Sequence, residues 1–271
     1  MPLRQQDLAL ARLCETRLSE GRLCFSKTFI MIKLLASDFD NTFRTRDTYE
    51  KNIEALQRWR AAGNIFCIVT GRFEPPENLP PMDAVLCCSG GRVCDIQGNV
   101  LNIAVSGENS KLIELARECM RHSDEDGEIK VCAENEIEYF DYKDVAGNDF
   151  ERLKSMGRFY QVSIYFDDYA YTEKVCQEIS AAVEGVNVLQ NGTCVDIPPA
   201  GMNKAIGVKA YAESLGISEE NIYTVGDAMN DIDMLKAFKG YVVEHGNEEL
   251  KNIIGNTTKS VADLIDSLLL D

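Results

Sequence analysis

Two carboxylates lie two residues apart at the end of the first long apolar run that could form a strand. Asp38 and Asp40 follow the apolar run Ile32 to Ala36, with Ser37 between. Because alternate side chains of a strand point to the same side, both carboxylates can face one group bound beyond the strand end. One carboxylate could attack a phosphorus atom while the other moves a proton, which outlines a phosphoryl-transfer site. Taken alone, the pattern also fits a purely structural acidic turn, which is common where strands end.

Three further polar clusters suit the same chemistry. They are Thr70-Gly71-Arg72 after the run Asn64 to Val69, Lys204 after the proline- and glycine-containing segment Asp196 to Gly201, and Gly226 to Asp231 after the run Asn221 to Val225. Ligands in open α/β sheets bind beyond the carboxyl ends of the strands, so we expect the clusters to meet there. For the acidic segment, an alternative is a loop whose acids lie near the positive end of a helix dipole.

In this order, the four clusters resemble those of the haloacid dehalogenase-like (HAD) phosphohydrolases, and within them the Cof-type sugar-phosphate phosphatases. The resemblance covers about residue 31 to the C-terminus. It implies an α/β fold with a Rossmann-like, doubly wound parallel-sheet core and an inserted α/β cap domain. The domains would be an N-terminal extension at 1–30, a catalytic core at 31–91 and 193–271, and a cap at 92–192.

The resemblance also implies a role for each site residue. Asp38 would be the nucleophile that forms an aspartyl-phosphate, and Asp40 would be the general acid and then the general base. Thr70 and Lys204 would complete the catalytic set by stabilising negative charge. Substrate would be bound by Thr70, Gly71, Lys204 and Asn230, and Mg²⁺ by Asp38, the Asp40 carbonyl, Asp227 and Asp231. Hard oxygen ligands of this kind suit Mg²⁺.

The activity implied is Mg²⁺-dependent hydrolysis of phosphoric monoesters of small metabolites, with sugar phosphates as the expected substrates. One alternative is a phosphosugar mutase of the same superfamily, which would return the phosphoryl group to the sugar. Another is a non-catalytic phosphate-binding regulatory protein. The segment Ser89-Gly90-Gly91 stands where relatives commonly carry Asn-Gly-Ala. This segment leads to the cap. Because it differs from that of relatives, the sequence does not indicate which leaving group the substrate carries.

The composition of the chain argues against some classes of function. The 271 residues carry a formal net charge of −16, which argues against a nucleic-acid-binding surface. Cys67, Cys87 and Cys88 have apolar neighbours, as expected for buried thiols in a reducing compartment. No apolar run approaches the roughly 20 residues of a membrane-spanning helix. We therefore expect a cytoplasmic monomer or homodimer that binds a small phosphorylated metabolite, without nucleic-acid or membrane partners, and residues 1–30 that form a peripheral helix or are disordered.

Strand-like runs that alternate with helical patterns predict a parallel sheet covered on both faces. In the first crossover helix, Asp47 and Glu50 are predicted to form a capping box, Leu56 and Trp59 lie in the apolar stripe, and Gly63 can end the helix. Within the insert, the sequence predicts a strand at about 160–166 and a helix at about 172–183.

Overall fold

A computed structural model describes residues 32–122, 128–133, 137–141 and 148–270, together with two short strands nearer the N-terminus. These are β1 (Thr16–Arg17) and β2 (Leu23–Cys24), which pair antiparallel. The rest of the predicted extension at 1–30 lies outside the described residues, so its character as a peripheral helix or disordered segment stays a prediction.

Strands and helices alternate along much of the chain. The further strands are β3 (Leu34–Asp38), β4 (Ile65–Val69), β5 (Ala84–Cys87), β6 (Arg92–Cys94), β7 (Val100–Ile103), β8 (Glu128–Ala133), β9 (Ile137–Asp141), β10 (Phe159–Tyr165), β11 (Leu189–Asn191), β12 (Cys194–Ile197), β13 (Ile222–Gly226), β14 (Lys239–Val243) and β15 (Thr257–Thr258). The helices are α1 (Tyr49–Ala61), α2 (Asn109–His122), α3 (Asn148–Ser155), α4 (Tyr169–Ala182), α5 (Lys204–Ser214), α6 (Ile232–Ala237), α7 (Glu248–Ile254) and α8 (Val261–Leu270). In the described part of the chain, none of these helices has both the length and the apolar character required to cross a membrane.

The larger sheet has the strand order β15-β14-β13-β3-β4-β5-β6-β7, and the first six of these strands are parallel. Both faces are buried because alternate side chains of each strand pack into separate apolar clusters. In β3, Leu35 packs with Trp59 of α1 and Ile265 of α8, whereas Leu34 packs on the opposite face with Val208 of α5. Helices on both faces of a mostly parallel sheet confirm the predicted doubly wound, Rossmann-like α/β core.

The smaller sheet has the order β11-β12-β10-β8-β9, and its strand pairs are antiparallel. One face is covered by α2, α3 and α4, whose buried side chains include Leu115, Leu153 and Val175. We call this sheet and these three helices the cap, and the larger sheet with its helices the core. The cap confirms the predicted inserted α/β unit.

Two segments fall on the other side of the predicted domain boundaries. Strands β6 and β7, predicted in the cap, join the larger sheet because β6 folds back antiparallel to β5 after a tight turn, with Arg92 opposite Cys87. Strand β12, predicted in the core, pairs with β10 and therefore belongs to the cap sheet. Beyond these shifts, the division of the chain into domains stays a prediction.

The predicted capping box of the first helix is wrong. Helix α1 begins at Tyr49, and its N-cap residue Thr48 makes no side-chain cap bond. Instead, the Thr48 amide donates to Oγ1 of Thr45 at 3.0 Å, and the two hydroxyl oxygens lie 2.6 Å apart. This local turn of two threonines replaces the reciprocal bonds expected from Asp47 and Glu50.

Close packing between α5 and the segment that leaves β5 leads to the first prediction, a loss of stability in Gly207→Ala. A Cβ atom at position 207 would lie 2.5 Å from both Cα and the carbonyl oxygen of Gly90. Alanine favours the helix by about 1 kcal/mol, but overpacking against backbone costs about 1–3 kcal/mol. The difference is a net loss of about 0–2 kcal/mol in the free energy of unfolding. Because the atoms contacted belong to the backbone of Gly90, we expect a value near the upper end of this range in urea denaturation.

The control is Lys209→Ala, which changes an exposed residue of the same helix and should stay within about 0.5 kcal/mol of the wild type. A Gly207→Ala protein as stable as Lys209→Ala would show that the two backbones do not pack as closely as described.

Candidate active site

The predicted site residues converge at the carboxyl ends of three neighbouring strands. Strand β3 lies between β13 and β4 in the larger sheet. Asp38 is the last residue of β3 and pairs in register with Val69, so Thr70 follows on the adjacent strand. On the other side, β13 ends at Gly226 and delivers Asp227. The sheet therefore brings three of the four sequence clusters to one edge, as predicted.

Lys204 supplies the fourth cluster from the start of α5. The side chain of Asn203 caps this helix by accepting a hydrogen bond from the Ile206 amide at 3.0 Å. Lys204 is buried, and its Nζ donates to Oδ1 of Asp38 at 2.6 Å and to Oδ1 of Asp231 at 2.5 Å. Burial alone would lower the pKa of Lys204, but the two carboxylates outweigh it and raise that pKa. The ammonium therefore stays charged between two acids.

Asp38, Asp227 and Asp231 offer carboxylate oxygens that all lie within 4.8 Å of one another. Burial is the main reason why the pKa of Asp38 is raised to about 8; the neighbouring acids add to this effect, and Lys204 opposes it. Burial, together with the charge of Asp231, also raises the pKa of Asp227. Such a concentration of negative charge favours a bound cation, and three hard oxygen donors fit a divalent metal ion.

Hydrogen bonds from the core fix two of these acids. Oδ2 of Asp231 accepts from the amides of Asp227 and Ala228 at 3.1 and 3.3 Å. Thr42 Oγ1 donates to Oδ1 of Asp227 at 2.9 Å. Because these donors are backbone amides and a buried hydroxyl, both carboxylates are held in place by the fold itself.

Asn230, predicted to bind substrate, lies on the same loop and is half-buried. Its Oδ1 atom is buried, yet no donor among the described residues makes a hydrogen bond to it. Buried amide oxygens without a partner are rare in folded proteins. This atom is therefore an amide oxygen, on the loop that also carries Asp227 and Asp231, that a bound group could use.

Asp40 is not one of the three clustered acids, and its side chain pairs with Arg72. The guanidinium donates from Nε to Oδ2 and from Nη2 to Oδ1, both at 2.9 Å, and both side chains are about half exposed. This fork fixes the Asp40 carboxylate at the rim of the site. Thr70 is buried, and its Oγ1 accepts a hydrogen bond from the Arg72 amide at 3.2 Å. The loop Thr70 to Arg72 thus runs from the buried Thr70 side chain to the half-exposed pair of Arg72 and Asp40 at the rim.

A cavity of about 720 Å³ lies between this rim and the cap. From the core it is lined by Asp40 and Arg72, among others, and from the cap by Lys130, Tyr165 and Asn191. The volume falls within the range of about 300–1,000 Å³ typical of small-molecule sites. The cavity therefore has room for a metabolite beside Asp40 and Gly71, the two predicted site residues in its lining.

The cap residues at this cavity were not predicted as site residues. One signal for them was present in the sequence of β10, where Gln161, Ser163 and Tyr165 alternate with the apolar residues Val162 and Ile164. Such alternation places the polar side chains on the face opposite the cap helices. It does not reveal that this face meets the core, because that contact depends on tertiary structure.

Comparisons with known proteins agree with this arrangement. A family model of haloacid dehalogenase-like hydrolases matches residues 35–268. The phosphoglycolate phosphatase of Archaeoglobus fulgidus is 28% identical over 242 residues, covering 84% of this chain and 91% of that protein. The 5-amino-6-(5-phospho-D-ribitylamino)uracil phosphatase YwtE of Bacillus subtilis is 24% identical over 283 residues, covering 88% and 98%.

A solved structure shares the fold. The structure of the HAD subclass IIB sugar phosphatase BT4131 aligns with a TM-score of 0.71 at 19% identity, covering 88% of this chain and 98% of that one. The family model spans most of the sequence, from the first core strand into the last helix. The chain therefore belongs to the haloacid dehalogenase-like hydrolases, as the four sequence clusters predicted.

Proposed function

We propose that this protein is a Mg²⁺-dependent phosphatase of small phosphorylated metabolites, with sugar phosphates as its main substrates and Asp38 as its nucleophile. The observation that carries the proposal is the position of Asp38, which is buried, hydrogen-bonded to Lys204 and within 4.8 Å of Asp227 and Asp231. The prediction of a phosphoric monoester hydrolase is confirmed at the level of the family, whose members similar to this chain include named phosphatases.

In the first half-reaction, a carboxylate oxygen of Asp38 attacks phosphorus, and the bond between phosphorus and the leaving-group oxygen breaks. Asp40 donates a proton to that oxygen, which leaves as an alcohol. In the second half-reaction, the Asp40 carboxylate removes a proton from water, which attacks phosphorus and releases inorganic phosphate. Asp38 is thereby restored. The Arg72 fork would keep Asp40 at the rim, where both proton transfers must occur.

Other residues would act through charge and hydrogen bonds. The ammonium of Lys204 would offset the charge of Asp38 and of the phosphoryl group, and the Thr70 hydroxyl would donate to a phosphoryl oxygen. Asn230 would help to bind the same group. Asp38, Asp227, Asp231 and the Asp40 carbonyl would hold Mg²⁺, which when bound offsets the repulsion between a phosphate dianion and these acids.

Substrate size and polarity follow from the cavity. The lining carries both signs of charge, with the basic residues Arg44, Arg72 and Lys130 and the acidic residues Asp40, Glu74, Glu77 and Asp196. Asn191 and Thr193 add polar groups that can bind hydroxyls. Such a lining suits a polar, hydroxyl-rich leaving group. A phosphoglycolate phosphatase and a phosphoribitylaminouracil phosphatase among the relatives support the same class of small, polar phosphate esters.

We further propose a cytoplasmic monomer or homodimer that acts without nucleic-acid or membrane partners. The net charge of −16 supports the absence of a nucleic-acid surface. Eight described cysteines are free thiols, six of them buried, which supports a reducing compartment.

The function is tested by hydrolysis of p-nitrophenyl phosphate with Mg²⁺ and with a chelator. We expect chelation to lower turnover by a factor of about 100 or more, because a cation that neutralises charge contributes several kcal/mol. In Asp227→Asn, the Mg²⁺ concentration for half-maximal activity should rise at least about tenfold. A panel of phosphorylated metabolites then ranks the leaving groups.

The matched control is Glu248→Gln, which removes an exposed acid on α7 and should leave the Mg²⁺ requirement unchanged. Metal-independent hydrolysis would refute the Mg²⁺ proposal. Transfer of the phosphoryl group to another position of the sugar, without release of phosphate, would instead identify a mutase.

A further inference from the structure

The loop Thr70 to Arg72 is held from two sides. The carbonyls of its first and last residues accept hydrogen bonds from the amides of Ser89 at 2.9 Å and Cys88 at 2.8 Å. The carbonyl of Gly71, between them, accepts from Nε2 of Gln161 at 2.7 Å. The outer two bonds lie within the core, but Gln161 belongs to β10 of the cap. A cap side chain therefore fixes the middle of the loop proposed to bind phosphate.

The Gly71 carbonyl is coupled to the Thr70 hydroxyl through one peptide group. A peptide is planar, so the direction of this carbonyl also sets the direction of the Arg72 N–H in the same plane. That N–H donates to Oγ1 of Thr70 at 3.2 Å. Since the hydroxyl oxygen accepts there, its own proton is directed elsewhere and can be donated to a phosphoryl oxygen.

Gln161 has only one orientation that satisfies its neighbours. Its Oε1 accepts from Oγ of Ser89 at 3.1 Å, and its Nε2 also donates to Oδ1 of Asp196 at 2.9 Å. The Gly71 carbonyl can only accept, so the atom that faces it must be the amide nitrogen. Gln161 and Ser163 are fully buried and Asp196 is nearly so, which leaves water little access to these bonds.

Gly71 allows the loop and the cap to approach this closely. A Cβ atom at this position would lie 2.6 Å from Oδ2 of Asp196. The carboxylate is in turn held by Ser163 Oγ at 2.6 Å and by Asn191 Nδ2 at 3.2 Å, both within the cap. The absence of a side chain at position 71 thus lets a rigid group of cap residues contact the loop backbone directly.

We propose that Gln161 is a positioning residue for Thr70: it aligns the phosphate-binding hydroxyl, through the peptide between Gly71 and Arg72, when the cap lies on the core. This inference rests on the proposed role of Thr70 in binding the phosphoryl group. As a consequence, the phosphate site is complete only in the closed arrangement. Binding of the leaving group by the cap and alignment of the phosphoryl group in the core are then linked by one side chain.

A double-mutant cycle on the binding of inorganic phosphate tests this role. Calorimetry with Mg²⁺ present would compare the wild type, Gln161→Met, Thr70→Ala and the double variant. Losing the hydrogen bonds of Gln161 should weaken phosphate binding about tenfold in the wild type, and by less than about twofold when Thr70 is already alanine. The kcat/KM for p-nitrophenyl phosphate should fall by a similar factor in Gln161→Met.

Two additional variants separate positioning from stability. Ser163→Ala removes the bond of Ser163 to Asp196 and the bond that Ser163 accepts from Nε2 of Gln161. It leaves the bonds of Gln161 to Gly71 and Ser89 in the core, so it should change phosphate affinity by less than about twofold. Ser89→Ala removes only the hydrogen bond that Oε1 of Gln161 accepts. It should weaken phosphate binding about threefold, again only when Thr70 is present. Because Ser89→Ala removes only one oxygen atom, it keeps the test valid if Gln161→Met does not fold.

Equal losses with and without Thr70 would overturn the proposal, since Gln161 would then act through cap position or stability alone. No loss in either background would overturn it as well. The readout is separate from turnover: a wild type that binds phosphate but hydrolyses no ester would refute the proposed function, and the cycle could still be measured. A wild type that binds no phosphate in the presence of Mg²⁺ would refute both.

Discussion

Replacement of Asp38 by asparagine is expected to lower kcat/KM for phosphate monoesters by a factor of about 10⁵ or more, because the nucleophile of a covalent mechanism is lost. The amide keeps the size of the side chain but cannot attack phosphorus as a carboxylate does. The position of Asp38 supports this role, since it lies at the end of β3 beside Lys204 and within 4.8 Å of the other two acids. Steady-state hydrolysis with Mg²⁺ present measures the effect.

The control for this variant is Asp266→Asn, which removes an exposed acid paired with Arg58 on the surface. Its activity should equal that of the wild type, and its stability should change by less than about 1 kcal/mol. If Asp38→Asn kept more than about one hundredth of the wild-type activity, Asp38 would not be the nucleophile.

Replacement of Lys204 by methionine should affect both stability and activity strongly. The variant leaves Asp38 and Asp231 buried, with no ammonium between them. Removing one partner of a buried ion pair costs about 3–5 kcal/mol, so in the presence of a chelator we expect a loss of about 3 kcal/mol or more in unfolding free energy. Mg²⁺ should restore part of this stability, because a bound cation also offsets the charge of the acids. Activity should fall about 10³-fold even with Mg²⁺.

Lys209→Met provides the matched control, because Lys209 lies on the same helix and its ion pair with Glu219 is about half exposed. Exposed ion pairs contribute about 0–1 kcal/mol, so this variant should be close to the wild type in urea denaturation. If Lys204→Met were as stable as Lys209→Met in the presence of the chelator, Lys204 would not offset the cost of burying Asp38 and Asp231.

Much of the site could be predicted because its residues follow local patterns. Asp38, Thr70 and Asp227 each come shortly after an apolar run, and parallel strands place their carboxyl ends at one edge. The geometry brings these residues together with Lys204, whereas their catalytic and binding roles stay predictions. The hydrogen bond between Lys204 and Asp231 could not be derived from their spacing in the sequence. It joins the first residue of α5 to the loop after β13, and this contact depends on the tertiary structure.

The contacts of the cap are the part that sequence patterns could not supply. Alternation in β10 shows that Gln161 and Ser163 share a face, but not that this face meets the loop at Gly71. The same limit explains the shifted boundaries. Strands β6, β7 and β12 are short and lie near the points where the chain passes between the two sheets, so their membership depends on which partner strand is nearest in the fold.

The central claim, a phosphoryl group carried on Asp38, is tested most directly by trapping it in Asp40→Asn. With p-nitrophenyl phosphate, whose leaving group needs no proton, attack by Asp38 should proceed, whereas hydrolysis of the aspartyl-phosphate should stall without the Asp40 base. Acid quench and mass spectrometry of peptides should then find one added phosphoryl group on Asp38. A quenched protein that releases p-nitrophenol but carries no phosphoryl group on Asp38 would contradict the account.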